Sequence, residues 1–435
     1  MVDQQMLLTD GNVKTRVLRF ALPYMLACFL QTFYGLADLF VVGLYNGSEV
    51  STAVSIGSQV MHFMTVTIAG LAMGTTVELS HSTGAGDTGR CRTVTGNSIT
   101  AFSILALVLT TVLIFSGNGL TRLMMTPVEA VNATNDYLRI CFAGLPFIIA
   151  FNLICSIYRG AGDSRRPMYF VAVACLVNII IDFWFVGGLG MGASGAALGT
   201  VTGQGVSVLS ALIFLKRTGP GFRVEKNDLI PGRECLSVIK VGLPIALQDG
   251  LIQVAFIVIT VIANSRGLID SVSVGIVEKL ISFLFLVPSA FLAAVSAFTA
   301  QNLGGGRPDR ARECLSFSIL VTTSWGALCC ICSWLFPHIL IGLFRTEPAI
   351  ISAAGLYLKS YSTDCIFAAV HFCFSGYFNG CQKSWISFLH NILSVTLVRV
   401  PGTYIASMLF KDTLFPMGLA APAGSIFSII ICLAF

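Results

Sequence analysis

The chain has 435 residues, of which 55% are hydrophobic and only 11% charged, and its mean hydropathy is +0.84. Soluble domains carry about 25% charged residues, so this composition excludes a soluble globular protein and describes a chain that crosses a membrane many times. A formal net charge of +5 is too small to single out nucleic acid as a partner, and none is expected.

Apolar segments bounded by charge or by Gly/Pro clusters predict twelve spans. Their limits are 17–44, 53–78, 94–116, 130–158, 168–188, 193–215, 236–263, 270–300, 314–341, 349–379, 386–410 and 415–435. Each is long enough for a bilayer core, which takes about 20 residues of helix. The first run follows Lys14, Arg16 and Arg19, is too long for a signal-peptide core and lacks a cleavage pattern, so it reads as a retained span. The last runs to Phe435 with no polar tail.

Span 1 carries Gln31, Tyr34 and Asp38 on one helical face, with Pro23 fifteen residues before Asp38. Span 2 offers Gln59 and His62, and span 4 offers Tyr137 and Asn152. Span 5 holds Asn178 and Asp182, four residues apart and therefore stacked on one face. In span 6 Thr200 and Gln204 share a face. An acid at membrane depth is costly and marks an ion or proton pathway, the plain alternative being a packing role for one lone acid. Asp38, Asn178, Asp182 and Thr200 could converge, and such oxygen donors suit either a shared proton or Na⁺.

The second half carries Asp249, Gln253, Glu278, Lys279, Asp364 and Arg399. Both signs are present, so internal ion pairs are the preferred reading there. His62, His371 and His390 read as hydrogen-bonded packing residues. Most of the fourteen cysteines, Cys141 and Cys175 among them, sit in apolar runs and act as small apolar side chains. There is no His-x-x-x-His pair, so a metal centre is not expected, and no nucleophile–base constellation points to an enzyme.

The basic residues orient the spans. Seventeen fall at the N-terminus or in loops after even-numbered spans, against four in the opposite loops, with Arg122, Arg266, Arg345 and Lys411 forming the minority. Both termini are then cytoplasmic. A shift of 220 residues lays 84–92 (GAGDTGRCR) on 304–312 (GGGRPDRAR), Tyr137 on Tyr357, Phe147 on Phe367 and Gly160 on Gly380. With one gap, Leu22-Pro23 lies on Leu243-Pro244. Six spans is an even number, so the halves are parallel repeats, a transporter architecture in which two lobes rock about a central cavity. The connector 216–233, with Gly219-Pro220-Gly221 and Pro231-Gly232, joins them.

Several stretches together resemble the MATE (multidrug and toxic compound extrusion) transporters. They are Phe20-Ala21-Leu22-Pro23, the run 34–43 around Asp38, Gly84-Ala85-Gly86-Asp87, the run 158–163 (YRGAGD), Gln301-Asn302-Leu303-Gly304 and Arg399-Val400-Pro401. Asp38 with Asn178-x-x-x-Asp182 is similar to the DinF-like branch. That resemblance implies cation coordination by Asp38, Asn178, Asp182 and Thr200, a network place for Tyr137, and a bend at Pro23 linked to protonation. A further asparagine of that branch falls at Cys155 here, with Asn152 one turn earlier. The NorM-like branch uses acids in spans 7 and 10. Here Ile252 or Gln253 stands at the first position and Asp364 lies about a turn from the second, so that site is not transferred.

The expectation is an all-α integral membrane protein of twelve helices in two parallel six-helix lobes, 1–215 and 236–435, joined by 216–235. It would be a monomer in the cytoplasmic membrane of a bacterium, exporting organic, often cationic, compounds in exchange for H⁺ or Na⁺, without another cofactor. The alternative in the same architecture is a flippase for lipid-linked oligosaccharides, which would want a basic cavity, and only Lys279 and Arg399 are obvious candidates.

Overall fold

Helices account for nearly all of the computed structural model, which describes residues 7–124, 126–219 and 221–435; Pro220 of the connector lies outside them. In order they are α1 (Val13–Tyr45), α2 (Ser48–Gly84), α3 (Thr88–Leu123), α4 (Val131–Ala143), α5 (Leu145–Gly160), α6 (Arg165–Asp182), α7 (Gly192–Thr218), α8 (Arg233–Asn264) and α9 (Leu268–Leu284). There follow α10 (Leu286–Gly304), α11 (Pro308–Leu335), α12 (Pro337–Gly342), α13 (Pro348–Ser362), α14 (Asp364–Gly380), α15 (Ser384–Ser394), α16 (Val400–Leu409), α17 (Phe415–Gly418) and α18 (Ala420–Ala434). Among the described residues there is no strand, as expected where lipid leaves the backbone only its own hydrogen bonds.

Ten of these helical segments are long and apolar enough to cross a membrane. An eleventh crossing is the pair from Val128 to Gly160, bent by 47° at Gly144. The twelfth expected span, 349–379, is α13 plus α14 with a break at Thr363. With 15 and 17 residues, neither piece is long enough to cross by itself. Expected spans 270–300, 314–341 and 415–435 are likewise each built of two helices, with breaks at Phe285, Phe336 and Leu419, and the breaks at Gly144 and Thr363 fall beside residues discussed below.

The repeat is built into the backbone. Gly86 and Gly306 both have left-handed φ, +70° and +69°, and so do Gly162 and Gln382, at 92° and 59°. In each pair the partners stand 220 positions apart. The first of each pair ends a helix so that an aspartate can cap the next one. The Asp87 carboxylate accepts from Arg90 N at 2.9 Å, and that of Asp163 accepts from the nitrogens of Arg165 and Arg166. Helix contacts repeat as well. Thr76 Oγ1 donates to the Ser156 carbonyl, and at the same shift Ser296 Oγ donates to the Gly376 carbonyl.

Packing divides the chain into two compact units, Leu22–Ala246 and Thr9–Ala21 with Leu247–Phe435. Each division falls inside a long helix, next to Pro23 in α1 and Pro244 in α8. The start of each repeat's first helix therefore packs with the unit that holds the other repeat, and the sequence limits 215 and 236 follow the spans rather than this packing. In the first unit, the connector is fastened to α3. Asn97 Nδ2 donates to the carbonyls of Asp228 and Ile230, and its Oδ1 accepts from the nitrogens of Gly232 and Cys235. Arg92 adds ion pairs to Glu225 and Asp228. In the second unit, Arg307 and Arg310 on the equivalent loop and helix hold the segment before α1 through Thr9, Asp10 and Gly11. The recurring Gly/Arg motif thus fastens, in each unit, the chain that leads into the other repeat.

Candidate functional site

In the first unit, α1, α6 and α7 bring together the four residues singled out from sequence. Asp182 is fully buried, Asn178 is 2% exposed and Asp38 4%. Thr200 Oγ1 donates to Asp38 Oδ2 at 3.2 Å, and Asn178 Nδ2 reaches Asp182 Oδ2 at 3.5 Å. The Asp38 side chain meets those of Asp182, Asn178 and Thr200. What allows this is glycine on α7. A Cβ at Gly199 would overlap Asp182 Oδ1, and one at Gly203 would crowd the Ala174 carbonyl and Asn178, so α6 and α7 approach closely only because both are glycine. Asp182 closes α6, and the next six residues, Phe183–Gly188, form a π-helical turn of the kind that gathers at functional sites.

The electrostatics follow from composition. Two carboxylates touch in a buried place, and no lysine or arginine pairs with either of them among the described ion pairs. Asp38 Oδ1, Asn178 Oδ1, Asp182 Oδ1 and Gln204 Oε1 are all buried without a hydrogen-bond partner. An orphaned buried acceptor costs about 1–3 kcal/mol, and burying two touching anions costs more unless a positive charge joins them. An all-oxygen donor set of two carboxylates, amides and a hydroxyl fits a proton or a hard monovalent cation. It does not fit a soft metal, and among the described residues no group of three or more His, Cys, Asp or Glu could hold one. The expectation of no Cys-x-x-Cys pair is corrected by Cys329 and Cys332, which stand at that spacing in α11; Cys329 is buried and, among the described residues, no metal-holding group forms there.

The surrounding residues divide. Tyr34 lies near both Asp38 and Gln204, and Tyr137, 1% exposed, lies near Asp38 and Tyr34. The Tyr137 ring fills the space that a side chain at Gly57 would need. Pro23 stands in α1 at the boundary between the packing units. Gln31 points to an exposed face, so the predicted polar stripe of α1 is buried only at its Asp38 end. Asn152 donates to the Ile148 carbonyl of its own helix at 2.9 Å and is not part of the cluster. Gln59 and His62 are exposed.

In the second unit, Arg399 ends a second π-helical turn, Val395–Arg399. Its Nη2 donates to the Tyr361 hydroxyl, and its guanidinium lies over the rings of Phe256 and Tyr361, 5.0 and 5.4 Å from their centroids. Glu278 accepts from Thr260 Oγ1 at 3.3 Å. Asp364 is 1% exposed, and neither of its oxygens has a hydrogen-bond partner. The ion pairs expected here are not direct ones, since none of those among the described residues includes Glu278, Asp364 or Arg399; the three share only electrostatic range. Asp249 and Gln253 are half-buried and Lys279 is exposed. His390 is the packing histidine expected, held between Ser375 Oγ at 3.0 Å and Ser428 Oγ at 2.6 Å, whereas His371 Nδ1 has no partner.

Comparison with known proteins places the family and the fold. The MatE family pattern matches residues 23–184 and again 244–405, one match per repeat. The chain is similar to the probable multidrug resistance protein YpnP of Bacillus subtilis, 27% identical over 98% of this chain and 95% of that protein. It is 24% identical to the multidrug export protein MepA of Staphylococcus saprophyticus, over 95% of this chain and 92% of the other. A crystal structure of MATE in complex with MaL6 matches with a TM-score of 0.93 at 24% identity, covering 99% of this chain and 97% of that one. An outward-facing multidrug resistance MATE family transporter of the MOP superfamily gives 0.92 at 23% identity, over 98% and 96%.

Proposed function

The chain belongs to the MatE family of membrane transporters, and from that premise we propose that it exports organic, often cationic, compounds in exchange for H⁺ or Na⁺ bound at Asp38 and Asp182. The relatives named for multidrug resistance and multidrug export support the substrate class. The observation that carries the coupling site is the set of orphaned buried oxygens around two touching carboxylates. Asp38, Asn178, Asp182 and Thr200 would hold the ion, as in the DinF-like branch, with Gln204 and Tyr34 beside them.

A bound cation removes the repulsion between Asp38 and Asp182, so it favours the arrangement in which α1 and α6 bring them together. Release of the ion favours their separation, and Pro23, which removes one backbone donor from α1, gives that helix a place to bend. Substrate and ion then prefer opposite states of the two lobes, and exchange requires that difference in affinity. The lobes are 1–215 and 236–435 with their connector, the start of each lobe's first helix belonging to the other compact unit, in a monomer lying in a bacterial cytoplasmic membrane with both termini inside.

The test is efflux of a fluorescent organic cation from proteoliposomes under an imposed pH gradient and, separately, an imposed Na⁺ gradient. Efflux driven by one gradient names the ion. No efflux under either would overturn the export reading and turn attention to lipid-linked substrates.

A further inference from the structure

The two family-matched stretches, 23–184 and 244–405, both begin and end 221 positions apart, whereas the left-handed turns within them, at Gly86 and Gly306 and at Gly162 and Gln382, are 220 apart, so the second unit regains one residue after Gln382. That residue falls to the π-helical turn Val395–Arg399, because a π turn holds one residue more than the α-helix it interrupts and the first unit's own π turn, Phe183–Gly188, begins only after Asp182. With that residue counted, Arg399 stands in the register of Asn178 and Thr403 in that of Asp182. Through the continuous helices α1 and α8, aligned by Pro23 and Pro244, Ile259 stands in the register of Asp38. Ile259 and Thr403 are buried. The second unit has therefore lost both carboxylates of the first unit's cluster and carries a guanidinium where the first has an amide.

It is not without acids. Glu278 from α9 accepts from Thr260, one turn along α8 from the Phe256 ring that Arg399 covers. Asp364 from α14 stands three residues after Tyr361, whose hydroxyl accepts from Arg399. Each acid has an unpartnered buried oxygen, and Arg399 Nε is unpartnered as well. The other titratable groups facing Arg399 are Tyr357 and Tyr361 of α13 and His371 of α14, while α8 contributes Phe256 and Thr260. The rings of Phe256 and Tyr361 hold the guanidinium in place. A guanidinium stays charged throughout the physiological range, so this positive charge, unlike a bound proton or Na⁺, does not come and go.

We propose that Arg399 is a tethered counter-ion: it supplies Glu278 and Asp364 with the positive charge that the first unit's cluster must take from solution. The second unit then needs no exchangeable ion, and coupling is confined to Asp38 and Asp182. This rests on the coupling reading above, so the experiment separates the two.

Purified full-length protein is melted in NaCl or choline chloride from mildly acidic to mildly alkaline pH. The parent is Asp38→Asn/Asp182→Asn, and Arg399→Gln, Arg399→Lys and Arg399→Gln/Glu278→Gln/Asp364→Asn are added to it. If the parent responds to acid and Na⁺ as the wild type does, the first-unit reading fails, whatever Arg399 does. In the parent, Arg399→Gln lowers the melting temperature by about 5 °C or more and makes it recover with acid or Na⁺. Arg399→Lys keeps the parent's behaviour, and the triple addition recovers the melting temperature with no cation response. The proposal is overturned if Arg399→Gln shows the parent's cation response, or if the triple addition melts no higher than Arg399→Gln. Should Arg399→Gln fail to fold, the triple addition decides: recovery supports the counter-ion role, and a second failure overturns it.

Discussion

Gly199→Ala adds one methyl group at the most crowded point of the first unit's cluster. That methyl would overlap Asp182 Oδ1, and the carboxylate must retreat by at least about 1 Å to regain the 3.0 Å that real side chains respect. Asp182 sits at the end of α6 with Asn178 one turn below and Asp38 opposite, so retreat pulls it from its partners or pushes α7 away. Overpacking of this kind costs about 1–3 kcal/mol. Borne by the ion-bound arrangement, it weakens ion binding by roughly 5- to 150-fold. The assay is the concentration of the driving ion that gives half-maximal efflux, measured beside Gly205→Ala. Gly205 is on the same helix, and its added methyl would meet only Phe147 at 4.0 Å, an ordinary contact. Gly199→Ala should shift the half-maximal concentration upward and Gly205→Ala should not. An unchanged value in Gly199→Ala would refute the claim that Asp182 must stand close to α7 to hold the ion.

Asn97→Ala removes both amide ends of a side chain that satisfies four backbone groups of the connector. With partners left behind, a loss of about 2–4 kcal/mol is expected, read as a lower melting temperature and faster proteolysis between residues 219 and 235. Arg266, in the second unit, donates to Asp270 and to the carbonyls of Ser407, Phe410, Lys411 and Thr413. Arg266→Ala should release the loop after α16 to protease and lower the melting temperature, while Arg345→Ala, on an exposed loop, should do neither. Gly57→Ala should displace the Tyr137 ring and cost about 1–3 kcal/mol of stability.

Much of this molecule could be read from the sequence, because the membrane makes a lone acid conspicuous. Asp38 and Asp182 stood out as carboxyls inside apolar runs, and the four-residue spacing of Asn178 and Asp182 placed them on one face. The repeat was legible for a similar reason: its turns need particular backbone angles, and the residues at 86, 162, 306 and 382 still adopt them. Three things were not legible. The breaks at Gly144 and Thr363 sit within runs that read as continuous spans. The π-helical turn at Val395–Arg399 shifts register by a single residue, too little to see without coordinates, so nothing in the sequence set Arg399 against Asn178. Asn97 gave no signal at all, because its partners are backbone groups more than 130 positions away.

The most direct test of the central claim compares wild type with Asp38→Asn and Asp182→Asn in proteoliposomes, under whichever gradient drives wild-type efflux. Both substitutions keep the shape of the side chain and remove the charge that binds the ion. The account predicts that neither variant moves substrate against its gradient, while both fold and still bind the fluorescent cation. Gradient-driven efflux by Asp182→Asn at the wild-type rate would contradict it.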